Sequence, residues 1–182
     1  MNKIYLGLVH YPINNKFNEV VTTSVTNLDI HDIARSCTTF GVEKYFIINR
    51  LESQKEMLMR ILDFWRTSLA EEYNPDRVKA LSLIEYATSI KDAAEMIYNQ
   101  EGEHPLIITT TAATMDQQID SAEFSKLTKP ILLLFGTGNG LTKEVHELAD
   151  YILRPIAGFG EYNHLSVRSA VAIILDRIRS DK

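Results

Sequence analysis

The fold is decided by Ile131-Leu132-Leu133-Leu134-Phe135-Gly136-Thr137-Gly138-Asn139-Gly140-Leu141-Thr142, a short apolar run followed by a glycine-rich loop. The first five residues are continuously apolar, which is typical of a parallel strand that is buried on both faces. Glycine then recurs at every second position, where the main chain can take up a positive φ and approach a ligand closely. The segment therefore predicts an α/β protein in which backbone groups at the end of a strand bind a ligand.

The glycine loop does not match the common phosphate-binding fingerprints. A dinucleotide-binding loop would have glycine where this chain has Leu141, and a P-loop would contain Lys followed by Ser or Thr. A tight strand-to-helix turn explains the same glycines without any ligand. From this loop alone, a ligand site and a structural turn remain open alternatives.

Short apolar runs alternate with helical patterns along the whole chain. This alternation predicts one α/β domain over residues 1–182, with a mostly parallel sheet flanked by helices. We expect strands at 4–9, 45–48, 81–84, 106–109, 131–135 and 151–153. We expect helices at 30–40, 90–99, 121–127, 143–149 and 166–179. A further helix should start at a capping box formed by Ser53 and Glu56, and Asn74-Pro75-Asp76 should form a turn.

Composition and charge exclude several classes of protein. The chain is 45% hydrophobic and 24% charged, as in an ordinary globular protein. Cys37 is the only cysteine, so neither an internal disulfide nor an all-cysteine metal site can form, and the histidines show no metal-ligand spacing. The apolar runs are too short to cross a bilayer, so we expect a soluble, unexported, cytoplasmic protein with no membrane or metal partner.

The net charge of −5 argues against RNA binding by overall charge, so RNA would need a local patch, a dimer-built groove or a partner. The best candidate patch surrounds one predicted helix and consists of Lys55, Arg60, Arg66, Arg77 and Lys79. A solvated face paired with neighbouring acidic residues explains these cations equally well. Trp65, at helical spacing from Met57, Ile61 and Leu62, is interpreted as part of a buried stripe rather than a base-stacking platform.

A second segment strengthens the ligand interpretation. It runs Leu153-Arg154-Pro155-Ile156-Ala157-Gly158-Phe159-Gly160-Glu161-Tyr162-Asn163-His164-Leu165-Ser166-Val167-Arg168-Ser169-Ala170. With the glycine loop, it resembles the two C-terminal motifs of the SPOUT superfamily, the trefoil-knot RNA methyltransferases that use S-adenosylmethionine (SAM). Residues 26–42, with Ile33-Ala34-Arg35 and Phe40-Gly41, are similar to the first motif of the ribose-methylating branch. The whole chain most resembles a bacterial group of small stand-alone SPOUT proteins named as RNA methyltransferases.

This resemblance implies a C-terminal trefoil knot, SAM as the cofactor, tRNA or rRNA as the substrate, and a homodimer. The apolar residues of the last helix surround it too broadly for one core-facing stripe, which also favours a dimer. SAM would be held by main-chain groups of three loops. The residues so implied are Thr109, Thr110, Thr111, Leu134, Gly136, Gly138, Asn139, Gly140, Leu141, Ile156, Leu165, Ser166 and Val167.

The catalytic candidates are Arg35, His164 and Asp29, with Asp32 and Glu161 as further possible bases. The resemblance places an arginine at position 35, where a guanidinium could bind phosphate or stabilise a developing oxyanion. Each candidate has a structural alternative. Arg35 could form a surface ion pair with Asp32 or Asp29, His164 could shape its loop, and Asp29 could cap the helix at 30–40.

This chain departs from the ribose-methylating pattern, so the sequence does not identify the RNA atom that receives the methyl group. Thr26, Asp29 and His31 stand where that branch has asparagines and a glycine, and His164 stands where it has asparagine. Three functions therefore remain: a SAM-dependent RNA methyltransferase, a SAM-binding protein without methyl transfer that serves binding or assembly, and an unrelated α/β nucleotide-binding enzyme.

Overall fold

The computed structural model describes residues 2–160 and 162–179. The strands in that part of the chain are β1 (Ile4–Val9), β2 (Ile13–Asn14), β3 (Val20–Val21), β4 (Lys44–Ile48), β5 (Ile84–Ala87), β6 (Leu106–Thr110), β7 (Gln118–Ile119), β8 (Ile131–Gly136) and β9 (Tyr151–Leu153). The helices are α1 (Asn27–Thr39), α2 (Glu52–Trp65), α3 (Ser68–Tyr73), α4 (Pro75–Leu81), α5 (Ile90–Glu101), α6 (Ser121–Phe124), α7 (Lys143–Glu147) and α8 (Val167–Arg179).

Seven strands form one parallel sheet in the order β5-β4-β1-β8-β6-β9-β7. The chain moves outward from β1 to β4 and β5, and then crosses to β6 on the other side of β1. Strand β8 later enters between β1 and β6, and β9 lies beyond β6. Since parallel strands have their carboxyl ends at one edge, the loops after β6, β8 and β9 start side by side there.

The sheet is buried on both faces, as β1 illustrates. Ile4, Leu6 and Leu8 pack with residues of α1, α2, α4 and α8, whereas Tyr5 and Val9 pack on the opposite face with residues of α5 and α7. Successive side chains of a strand point to opposite faces, so a strand covered on both sides must be apolar at every position. The prediction of a mostly parallel sheet flanked by helices is therefore confirmed.

Two local predictions are wrong for an identifiable reason. The strand expected at 81–84 starts only at Ile84, because Leu81 is the last residue of α4. The turn expected at Asn74-Pro75-Asp76 is the start of that helix, where Asn74 Oδ1 accepts a hydrogen bond from the Arg77 amide at 3.0 Å. Proline fits the first helical position because its missing N–H would have no helical partner there.

The helix starts also differ from the predictions. Thr26, not Asp29, caps α1: its hydroxyl accepts from the Asp29 amide at 3.1 Å and donates to Asp29 Oδ2 at 2.6 Å. The Ser53 and Glu56 capping box is also wrong, because α2 begins at Glu52 after Leu51, which makes no side-chain cap bond. Gly41 has the expected left-handed conformation, with φ of +64°.

Cys37 is fully buried in the core beside α1's other apolar residues, as predicted. Burial raises the pKa of its thiol, which keeps it protonated and unreactive. Within the described residues, no helix has both the length and the apolar character needed to span a bilayer.

Candidate active site

The loops that follow β6, β8 and β9 line a cavity of about 740 Å³ at the carboxyl edge of the sheet. Its wall includes Thr110, Thr111, Gly136, Thr137, Gly138, Asn139, Gly140, Leu141, Ile156, Asn163, His164, Leu165, Ser166, Val167 and Arg168. The start of α1 closes one side with Thr26 and Asp29, and Thr23, Ser24 and His146 also border the cavity. The three loops singled out from the sequence thus form one site.

The glycine loop is held in place by β2. The amide of Asn139 donates to the Asn14 carbonyl and the amide of Asn14 donates to the Gly140 carbonyl, both at 3.0 Å. Gly138 has φ of +57° and Gly140 has φ of +95°, a backbone region that L side chains rarely adopt. A Cβ on Gly136 would lie 2.7 Å from the Leu141 amide nitrogen, so this loop closes too tightly for any other residue there.

A Cβ on Gly138 would meet Ile13 at 3.1 Å and the Asn14 carbonyl at 3.3 Å. Position 138 therefore faces the β2 side of the loop. The glycine serves to pack the loop against β2, and the loop in turn shapes the cavity wall.

A chain of hydrogen bonds joins the end of β1 to the same loop. The Thr137 hydroxyl donates to the Val9 carbonyl at 3.0 Å and lies 2.5 Å from the Thr23 hydroxyl. The Thr23 hydroxyl also lies 2.9 Å from Nδ1 of His10 and 3.5 Å from the His10 carbonyl. The other ring nitrogen of His10, Nε2, is buried and has no hydrogen-bond partner among the described residues. Burial lowers the pKa of His10 to about 4, which keeps the ring neutral.

Two residues predicted to contact the cofactor lie behind the wall instead. Thr109 is fully buried and its hydroxyl lies 2.9 Å from Nδ1 of His146, whose pKa is lowered by burial. Leu134 is also fully buried, and its carbonyl accepts a hydrogen bond from the Thr110 hydroxyl at 2.9 Å. Both residues lie in strands just before the loops, and their buried side chains support the loops from within the core.

The loop after β9 reaches back to the loop after β6. The side-chain amide of Asn163 donates to the Ala112 carbonyl at 3.3 Å, so two loops that line the cavity are joined directly. His164 borders the cavity and is exposed, with its ring edge-on to Tyr162 at 5.2 Å between centroids. Glu161, one of the possible bases, lies outside the described residues.

Asp29 forms the centre of a polar cluster at the cavity. Arg168, at the start of α8, donates from Nη1 to Asp29 Oδ1 at 3.0 Å, and its Nε lies 3.4 Å from Asp32 Oδ2. The side chain of Asp29 is 8% exposed and that of Arg168 is 32% exposed. With Thr26 on its other oxygen, Asp29 is engaged at both oxygens, which suits holding Arg168 in place better than accepting a proton.

Arg35 does not join this cluster. It is an exposed residue of α1 and does not line the cavity of its own chain. The alternative of an ion pair to Asp29 or Asp32 is also absent among the described residues, because both carboxylates bind Arg168.

Sequence reasoning missed several residues that line the site. Arg168 directly follows the Ser166-Val167 pair, so the sequence predicts its position at the start of the last helix. The sequence does not predict its partner in α1. Thr23 and His146 occur in segments without a motif, and only the strand order brings them to the cavity.

The cavity fits SAM in size and in chemistry. Its volume lies within the range of small-molecule sites, and its walls combine apolar side chains with loop backbone that glycines leave uncovered. Among the described residues, no group of three or more His, Cys, Asp or Glu side chains is arranged to hold a metal ion.

Comparison with known proteins places this geometry in a family. A family model described as SAM-dependent RNA methyltransferase matches residues 3–180. A tRNA (guanine-N(1)-)-methyltransferase of Oleidesulfovibrio alaskensis is 44% identical over 179 residues, which make up 98% of this chain and 42% of that protein. An Aquifex aeolicus protein whose name assigns no function is 35% identical over 181 residues, covering 97% of this chain and 88% of its own length.

A solved structure shares the fold. The TrmH/SpoU tRNA modifying enzyme of Aquifex aeolicus superimposes with a TM-score of 0.58 at 17% identity, covering 98% of this chain and 73% of that one. The family match confirms the predicted class of SAM-dependent RNA methyltransferases, and the likeness to this structure shows a shared fold. The chain spans only about two fifths of the longer curated relative, so the activity in that relative's name does not transfer directly.

Proposed function

Since this chain belongs to the family of SAM-dependent RNA methyltransferases, we propose that it methylates a tRNA, with SAM bound in the cavity formed by the loops after β6, β8 and β9. The observation that carries the proposal is the juxtaposition of these three loops beside Arg168 and His164. The choice of tRNA is supported by the name of the longer relative and by the solved tRNA modifying enzyme with the same fold.

Backbone groups of residues 136–141 and 163–167 would hold the cofactor, with Ile156, Leu165 and Phe135 as apolar walls. When bound, SAM supplies a methyl group on a sulfonium that is already a good leaving group. The protein therefore needs mainly to align the acceptor and to receive its proton. The pre-formed glycine loop, fixed by Asn14, lowers the cost of ordering the site on binding.

We propose that Arg168 and His164 act on the RNA that accepts the methyl group. Arg168 is oriented by two carboxylates yet keeps a third of its side chain exposed at the cavity, as a group that binds an RNA phosphate requires. His164 borders the same cavity, and a neutral imidazole ring there can accept a proton from the RNA.

We also propose that the protein acts as a homodimer whose C-terminal segment forms the trefoil knot implied by the superfamily. The half-buried residues of α8, among them Ile173, offer apolar surface for a second copy. Because Arg35 lies outside the cavity of its own chain, a role for it in the reaction requires the cavity of the other copy.

A SAM-binding protein without methyl transfer is the second candidate. It is favoured by the surroundings of Asp29, because the hydroxyl of Thr26 and the guanidinium of Arg168 each donate to one of its oxygens and stabilise the ionised carboxylate against taking up a proton. The two functions share the cofactor cavity and differ only in turnover.

One experiment separates them. SAM binding is measured by calorimetry, and transfer of a labelled methyl group is measured with tRNA from a strain that lacks the gene. Binding with transfer supports the methyltransferase, binding without transfer supports the second candidate, and absence of SAM binding contradicts both.

A further inference from the structure

A second recess lies on the helical side of the molecule, away from the glycine loop. It is an open groove of about 470 Å³ between α1, α2 and α4, bordered by Asn27, His31, Arg60, Phe64, Trp65 and Arg77. Its volume is that of a site for a small ligand or one nucleotide. None of the described residues that border it is acidic, although the whole protein has a net charge of −5.

The groove combines aromatic rings with arginines. The Phe64 and Trp65 rings meet edge to face with centroids 5.4 Å apart, and the His31 and Trp65 rings meet in the same way at 5.7 Å. The guanidinium of Arg77 lies over the indole at 5.5 Å. Phe64 is 54% exposed, so a large aromatic face remains open to solvent.

The charges of the groove are not neutralised locally. Among the described residues, neither Arg60 nor Arg77 forms an ion pair with a carboxylate, whereas the neighbouring Arg66 pairs with Asp63 at 3.1 Å. The guanidinium of Arg77 lies 3.5 Å from Nδ1 of His31 and over the Trp65 ring. Two free guanidinium groups beside an exposed ring suit a ligand that carries both phosphates and flat bases.

The groove is adjacent to the proposed active site. Asn27 borders the groove and Thr26, the preceding residue, borders the cofactor cavity, so the two sites meet at the first turn of α1. An RNA strand that crosses this point would hold one nucleotide in the groove while its neighbours reach the cavity.

We propose that this groove binds an unpaired nucleotide of the RNA substrate, with its base stacked on Phe64 and its phosphates bound by Arg60 and Arg77. The inference rests on the proposed function, because it names the part of the RNA that this surface recognises. Single-stranded RNA is the fitting form, since paired bases do not expose a face for stacking on a side chain.

The protein carries its own probe, because Trp65 is its only tryptophan. Pentauridylate, pentaadenylate and a short RNA duplex are titrated into the intact protein while the indole fluorescence is recorded. We expect the single strands to quench the emission of Trp65 and the duplex to do so at least tenfold more weakly.

Variants then test the contacts. Phe64→Ala and the double change Arg60→Gln with Arg77→Gln should each weaken single-strand binding fivefold or more. The double change should also reduce the slope of log affinity against log salt by about 0.7 per lost phosphate contact. Lys129→Gln removes an exposed cation at the amino edge of the sheet, just before β8, and should change neither quantity.

The proposal is overturned if single strands bind without changing the indole emission, or if the groove variants and Lys129→Gln behave alike. It is also overturned if the groove variants dissociate a dimer in light scattering, because the groove would then hold a second copy of the chain. Calorimetry with SAM distinguishes the two proposals. SAM binding without quenching contradicts only the proposal that the groove binds a nucleotide, whereas quenching without SAM binding contradicts only the proposed function.

Discussion

Nη1 of Arg168 lies 3.0 Å from Oδ1 of Asp29, joining two helices whose residues are 139 positions apart in the chain. This contact fixes the start of α8 against the start of α1 at the mouth of the cavity. It also explains why Asp29 is buried without being a helix cap. The carboxylate is a positioning group for the arginine, and the arginine is the group that faces the site.

Arg168→Lys should keep SAM affinity within about twofold and reduce methyl transfer tenfold or more, because lysine lacks the fork that contacts both carboxylates. The single-turnover rate of transfer to tRNA measures the effect. Unchanged methyl transfer in a folded Arg168→Lys protein would contradict the proposed role of Arg168 in binding the RNA.

The same pair should contribute measurably to stability. Arg168→Ala leaves the Asp29 carboxylate without its strongest partner, and we expect the free energy of unfolding to fall by about 2 kcal/mol. Lys143→Ala, which breaks the fully exposed pair with Glu147, is the control and should cost less than about 0.5 kcal/mol. Urea unfolding of Arg168→Ala, of Asp29→Asn and of the variant that carries both changes gives the coupling energy of the pair, which would be near zero if the two side chains did not interact.

Gly140→Ala should reduce SAM affinity tenfold or more, because its φ of +95° cannot be kept by alanine without strain and the loop lines the cavity. Gly102→Ala is the matched control: its φ is +74°, it ends α5, and a Cβ at either position meets open space. Both changes should lower stability by about 1 kcal/mol. Equal SAM affinities in calorimetry would contradict the placement of the cofactor at this loop.

Arg35 can be tested by complementation. Arg35→Lys should bind SAM normally and lose most methyl transfer, roughly a hundredfold if the guanidinium stabilises developing charge. If Arg35 acts in the cavity of the other copy, co-expression of Arg35→Lys with Gly140→Ala should restore activity, since the mixed dimer has one complete site. No recovery, or full activity of Arg35→Lys alone, would contradict this arrangement.

His10 should make stability depend on pH. Burial lowers its pKa to about 4, whereas histidine in an unfolded chain titrates near 6.5. Between these values the unfolded chain binds the extra proton, so the free energy of unfolding falls as the pH is lowered from about 6.5 to 4. His10→Asn should remove roughly 2.5 kcal/mol of this dependence, measured as the difference between urea unfolding at pH 4.5 and at pH 7.5. His104→Asn, at an exposed position, is the control and should leave the dependence unchanged.

The sequence by itself determined the class of fold and the position of the loops. Strands such as β1 and β8 are apolar at every residue because both faces of a parallel sheet are covered, and this pattern needs no knowledge of neighbours. Gly138 and Gly140 marked the loop after β8 for a similarly local reason, since both have a positive φ, which glycine adopts without strain.

Only the tertiary structure decided which side chains meet at the site. Asp29 has the sequence signature of a helix cap, yet Thr26 takes that place and Arg168 takes the carboxylate. Thr109 and Leu134 were predicted to contact the cofactor but are buried behind the cavity wall, and Arg35 is exposed on α1. These outcomes depend on the insertion of β8 between β1 and β6 and on the packing of α8 against α1, which are long-range contacts that no local pattern encodes.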